Sequence, residues 1–150
     1  MADPTFMDTW RHLLRYHRTT MAVMDQHLRA TFGRSLDDYD VLHQLSVHDG
    51  PMRMGELAEQ LLVANSSCNR IVGRLEKDEL IERSHGDSDG RVVFANLAPK
   101  GKKLRRRMAA VHTRDIEALF GSRLTTTQSS ELGAILQRLL TTDTGNDVKD

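Results

Sequence analysis

MRMGELAEQLLVANSSCNRIVGRLEKDELIERS, residues 52–84, holds two short stretches of helical periodicity on either side of a polar turn. Leu57, Ala58 and Leu61 share a face in the first stretch, as do Ile71 and Leu75 in the second, so the spacing predicts helix, turn, helix. Asn65, Ser66 and Ser67 stand where the second helix opens, and their side-chain oxygens suit the free amides of its first turn.

Downstream, Leu80–Arg83 and Val92–Leu97 read as two short strands joined by the turn-rich HGDSDGR, and together they predict a β-hairpin. Pro99 suits the first turn of a long helix running to about Phe120, with Leu104, Met108, Val111, Ile116 and Leu119 facing inward. Thr125 and Gln128 form a capping box for a last helix that ends near Thr141 and is striped by Leu132, Ile135, Leu136, Leu139 and Leu140. The tail, residues 144–150, is expected to be disordered.

Upstream, nothing breaks a helix from about Thr5 to Phe32, and Leu13, Tyr16 or His17, Thr20, Met24 and Leu28 recur along one side. Roughly 28 residues at about 1.5 Å each give a helix of ~42 Å, longer than a compact domain of this size needs to cover its own core. Part of it is therefore expected to pack against a partner chain. Gly33 stops this helix, and Ser35 with Asp38 caps a second that carries Val41, Leu42 and Leu45 inward and ends near Asp49-Gly50-Pro51.

The 150 residues fit one domain, and 39% hydrophobic with 28% charged residues is too apolar for a disordered chain. The formal net charge is zero, but residues 51–107 hold 12 basic and 8 acidic side chains, and Gly90 to Arg107 carries seven cations with no acid. Such a run suits a polyanion, although a charge run is more often a solvated helix face. No apolar stretch is long enough for a membrane span and the N-terminus lacks the pattern of a secretory signal, so a cytoplasmic location without membrane association is expected. The single cysteine, Cys68, has no disulfide partner and no metal-site spacing around it.

GELAEQL with NSSCNRIVGRLEKDELIERS, followed by GDSDGRVVFANLAPKGKKL, resembles the helix-turn-helix and wing of the MarR (multiple-antibiotic-resistance regulator) family, and the order of elements matches that family along essentially the entire chain. The resemblance implies a mainly α winged helix-turn-helix fold with a small β wing. It implies one domain over residues 1–143, with dimerisation helices at about 5–32 and 98–141 and a DNA-binding lobe at about 53–97. It further implies a homodimer on a pseudo-palindromic operator in double-stranded DNA, joined through Trp10, Leu13, Leu132, Ile135, Leu136 and Leu139. Two departures stand out: the wing signature reads Asp89-Gly90-Arg91, with glycine at its centre, and Ala98 replaces a threonine able to cap the following helix.

On that geometry a recognition helix in the major groove presents Asn65, Ser66, Ser67, Asn69 and Arg70 to base edges, and Arg74 to a phosphate. Arg91 reaches the minor groove or its phosphates, with Asp89 holding the guanidinium. The Lys102–Arg107 cluster is read as steering DNA at range.

Members of the family often respond to small aromatic acids or phenols, which makes Tyr16, His17, Met24 and His43 the candidates for a ligand site, although such residues at helical spacing are more often plain core. No catalytic residue and no cofactor is assigned, because no nucleophile beside a base and no paired carboxylates in a glycine-bounded loop occur. The histidines show no tight chelating pair, so no metal ligand is assigned either. Two further readings stay open: a redox- or metal-responsive regulator of the same fold, through Cys68 or the histidines, and a winged helix used for protein contact. The polarity of Asn65, Ser66, Asn69 and Arg70 speaks against the last.

Overall fold

The computed structural model of the chain describes residues 4–88 and 90–141; Asp89 and the tail 144–150, with its expected disorder, lie outside the described residues. The elements follow in the order α1 (Pro4–Phe32), α2 (Leu36–His48), β1 (Met52–Arg53), α3 (Met54–Leu61), α4 (Asn65–Lys77), β2 (Ile81–His85), β3 (Val93–Leu97), α5 (Pro99–Leu119), a 3-10 turn (Gly121–Arg123) and α6 (Thr126–Thr141). The chain divides within α5 into two compact units, one up to Thr113 and one from Arg114.

Local chemistry sets most element ends in the first unit. Gly33 takes φ +65° and stops α1, donating its amide to the Arg29 carbonyl at 2.9 Å. Two residues on, the Asp38 amide donates to Ser35 Oγ at 3.1 Å while the Ser35 amide donates to Asp38 Oδ2 at 3.3 Å, so the expected capping box opens α2. Asp49, at φ 57°, ends it.

The sheet has the order β1-β3-β2, all antiparallel. β2 pairs with β3 from Ile81↔Leu97 to His85↔Val93, two residues further toward the tip than the sequence pattern reached. β1, pairing Met52↔Ala95 and Arg53↔Phe94, was not expected: two residues running straight into α3 leave no alternation to read.

The core of this unit gathers Leu28, Val41, Leu42, Leu45, Leu57, Val72, Leu75, Ile81 and Met108, from α1, α2, α3, α4, β2 and α5, with Leu80 from the turn before β2. Each large apolar side chain buried in this way contributes roughly 1.5–3 kcal/mol. α1 divides along its length. Thr20, Met24 and Leu28 are buried, but Phe6 (56% exposed) and Trp10 (53%), on the same face further toward the N-terminus, are not, and neither are Leu13 and Tyr16. The apolar stripe thus runs on past the core that covers it.

Close approach of backbone fixes the start of α5. Ala98 donates its amide to the Leu80 carbonyl at 3.1 Å, and a Cβ on Gly101 would stand 2.0 Å from that same oxygen. Only glycine fits there.

In the second unit the box foreseen at the start of α6 is present, with the Thr125 amide donating to Gln128 Oε1 at 2.9 Å and the Gln128 amide to Thr125 Oγ1 at 3.2 Å. Leu132 and Leu136 are half-buried, whereas Ile135, Leu139 and Leu140 are exposed, so the stripe of α6 is largely open.

Candidate nucleic-acid interface

α4 has two faces. Cys68, Ile71, Val72 and Leu75 recur at steps of three and four and are buried. Asn65, Ser66, Asn69 and Arg70 are exposed on the other side, and Ser67 is half-buried. Among the described residues the side chains of Asn65, Ser66 and Arg70 enter no hydrogen bond or ion pair. The Asn69 amide nitrogen donates to the Asn65 carbonyl at 2.9 Å.

One expectation about this helix is corrected. The N-cap is Ala64, extended at φ −63° and ψ 147° with no side-chain cap bond, so Asn65, Ser66 and Ser67 form the first turn and do not cap it. The Cys68 amide donates to the Ala64 carbonyl at 3.0 Å, and burial of Cys68 fixes that register against the capping preference of the polar residues.

Two arginine clusters position α4. Arg83 of β2 donates through Nη2 to the Asn69 carbonyl at 3.2 Å, and its Nε lies 3.3 Å from Glu76 Oε2, strapping the helix to the hairpin. At the far end the Asp38 carboxylate accepts a hydrogen bond from Arg74, tying the first turn of α2 to α4. Arg34 lies 3.9 Å from the same carboxylate and pairs with Asp78 at 2.6 Å; its hydrogen bond and charge hold the Asp78 carboxyl below its ordinary range. Arg74, expected at a phosphate, is thus paired with a carboxylate of this chain while its side chain stays 46% exposed.

A cleft of about 620 Å³ opens between α3, α4 and the hairpin, and it brings together Asn69, Arg91 and Arg53 with Glu56 and Glu59. Arg91 is exposed, as is Arg53, whose guanidinium lies 6.0 Å from the Phe94 ring centroid. Sequence reasoning missed Arg53, because only the pairing of β1 with β3 carries it to the mouth of the wing. At the hairpin tip the Gly86 amide donates to the Val92 carbonyl and His85 Nδ1 lies 3.0 Å from the Gly90 carbonyl oxygen. Asp89, expected to hold Arg91, is outside the described residues.

The remaining expected site residues are scattered. Tyr16 and His17 are exposed on α1, Met24 belongs to the core, and His43 is half-buried and stacked on Tyr39 at 5.6 Å between ring centroids. Of the interface residues expected on α1 and α6, Trp10, Leu13, Ile135 and Leu139 are exposed and Leu132 and Leu136 half-buried. Cys68 is fully buried, and burial pushes its thiol up, away from the thiolate that redox sensing needs. No group of three or more His, Cys, Asp or Glu side chains among the described residues is placed to hold a metal ion, and none of the described helices is long and apolar enough to cross a membrane.

Comparison with known proteins agrees with this geometry. The model of the MarR family matches residues 35–93. The HTH-type transcriptional regulator MhqR of Bacillus subtilis is 28% identical over 71% of this chain and 72% of its own length. The HTH-type transcriptional repressor Rv2887 of Mycobacterium tuberculosis is 31% identical over 71% of this chain and 76% of its own length. The crystal structure of Sco3205, a MarR family transcriptional regulator from Streptomyces coelicolor, in complex with DNA, superposes with a TM-score of 0.86 at 27% identity, covering 93% of this chain and 92% of that one.

Proposed function

We propose, since this chain belongs to the MarR family of transcriptional regulators, that it is a homodimeric repressor which binds a pseudo-palindromic site in double-stranded DNA and is released by a small ligand. It is a DNA-binding regulator and not an enzyme. The observation that carries the reading is the polar, uncommitted outer face of α4 beside a cleft shared by Asn69, Arg91 and Arg53. Asn65, Ser66, Ser67, Asn69 and Arg70 read base edges in the major groove, where Asn and Arg make bidentate contacts. Arg91 and Arg53 neutralise phosphates, and Asp89 orients Arg91. The DNA complex of Sco3205 supports this docking.

Dimerisation follows from the open apolar stripes. Phe6, Trp10 and Leu13 on α1 and Ile135 and Leu139 on α6 are exposed large apolar residues of the kind that mark an interface. Two copies then present two α4 helices to successive major grooves, about 34 Å apart. Release by a ligand is supported by the family's habit alone.

Sedimentation of the purified chain, together with selection of bound genomic fragments at fixed salt, tests the proposal. A dimer at micromolar concentration that enriches inverted repeats supports it. A monomer with no preference among fragments sinks it.

A further inference from the structure

Arg83 leaves β2 on the buried side of the sheet, since it stands opposite Ala95, which is fully buried. Its side chain, 26% exposed, follows one stripe of α4: Asn69, Gly73 and Glu76, at helical steps of four and three. At one end of the stripe Arg83 Nη2 donates to the Asn69 carbonyl at 3.2 Å, and at the other its Nε lies 3.3 Å from Glu76 Oε2. Gly73 leaves the room between them. A Cβ there would stand 3.0 Å from Nη2, the same atom that holds Asn69.

This is not the setting of a phosphate contact. Arg83 shares a cleft with Glu76, Glu79 and Glu82, so carboxylates of the fold answer its charge and repel a DNA backbone. The tie also adds something the helix lacks by itself. Within α4 the Asn69 carbonyl already serves the amide four residues on, whereas the bond from Arg83 runs from helix to hairpin. It ends on the residue that lines the DNA-facing cleft, whose own side-chain amide is held by the Asn65 carbonyl at 2.9 Å. Arg91 of the hairpin and Arg53 of β1 line the same cleft. One guanidinium therefore links the strand that carries the wing to the helix that carries Asn69.

We propose that Arg83 is a positioning residue for sequence readout: it holds Asn69 in place relative to Arg91 and Arg53, so that helix and hairpin meet duplex DNA in one register, and Gly73 admits it. A guanidinium does this where an ammonium does not, because its rigid fork reaches the carbonyl and the carboxylate at once. The inference rests on the reading that Asn69 contacts a base edge, and on neither dimerisation nor release by a ligand.

Fluorescence anisotropy of the full chain tests it, on the site recovered by genomic selection and on its single base-pair variants, across a salt series. Arg83→Lys and Gly73→Ala are each expected to lower discrimination about fivefold or more at the base pair whose choice Asn69→Ala relaxes. The slope of log affinity against log salt stays that of the parent, since neither change removes a phosphate contact. Arg83→Lys added to Asn69→Ala costs no further discrimination at that base pair. Gly73→Ala raises helix propensity, so it keeps a Tm at or above the parent's and reports lost readout without lost fold even where Arg83→Lys does not fold. Discrimination kept by both variants while Asn69→Ala loses it overturns the proposal and leaves the base contact standing. Equal weakening on every site assigns Arg83 to stability, and a reduced salt slope assigns it to a phosphate; either result overturns the proposal. If Asn69→Ala relaxes no base pair, the base contact and the proposal fall together.

Discussion

Asp38, 4% exposed in the first turn of α2, accepts a hydrogen bond from Arg74, a residue 36 positions later on α4. The carboxylate also accepts from the Ser35 amide, so one buried group closes a helix cap and anchors α4. Removing one partner of such a pair leaves the other uncompensated. Asp38→Asn is expected to cost about 1–3 kcal/mol in urea denaturation, reduced from the fully buried figure because Arg74 can reach water. The double variant with Arg74→Gln should lose less than the sum of the single losses; strict additivity refutes the coupling.

Gly101→Ala drives a methyl group into the Leu80 carbonyl, against backbone that cannot rotate away. A loss on the order of 3 kcal/mol is expected, at the upper end for overpacking, and appears as a lowered Tm. A Tm within error of the parent would mean that α5 moves freely against the end of α4.

Leu62 ends α3 at φ 55° with its side chain 93% exposed, in the left-handed region where a Cβ is penalised. Leu62→Gly should stabilise by about 1 kcal/mol, since it relieves that penalty and removes no buried surface. A lowered Tm argues against it.

Burial, then the neighbouring Asp37 charge, pushes the Asp40 carboxyl up to about 6. The folded chain holds this proton more tightly than the unfolded one, whose Asp titrates near 3.9, so stability falls as pH rises from about 4 to about 6 and stays lower above that. Asp40→Asn is expected to gain stability at pH 7, by about 1–2 kcal/mol, and nothing below about pH 4. A gain of equal size at both pH values would assign the effect to packing.

Arg91→Ala and Arg53→Ala should each weaken binding on all DNA sequences and reduce the slope of log affinity against log salt by about 1 per half-site. Asn69→Ala should instead relax the choice of one base pair in each half-site. Fluorescence anisotropy across a salt series distinguishes the two; an unchanged slope for both arginines removes them from the interface.

What could be read in the sequence was local. Gly33, the Ser35–Asp38 box and the Thr125–Gln128 box act within four residues of themselves, and each ends or begins a helix where its chemistry demands. The hairpin was legible for the same reason. Arg53 was not, because a two-residue strand gains its meaning only from Phe94 and Ala95 across the sheet. Nor was the partner of Arg74, since nothing near it in sequence announces Asp38. The capping preference of Asn65 and Ser66 misled, because tertiary burial of Cys68 outweighed a local hydrogen bond. At the candidate interface, residue types and their order were visible, whereas the cleft that unites Asn69 with Arg91 and Arg53 required the fold.

The uncommitted side chains on α4 bear on how such a protein evolves. Asn65, Ser66 and Arg70 hold up nothing, while Arg83, Asp38 and Arg74 fix the helix that carries them. On the proposed readout, a lineage can exchange the first three at almost no folding penalty, and single substitutions then reach new target sequences without passing through misfolded intermediates.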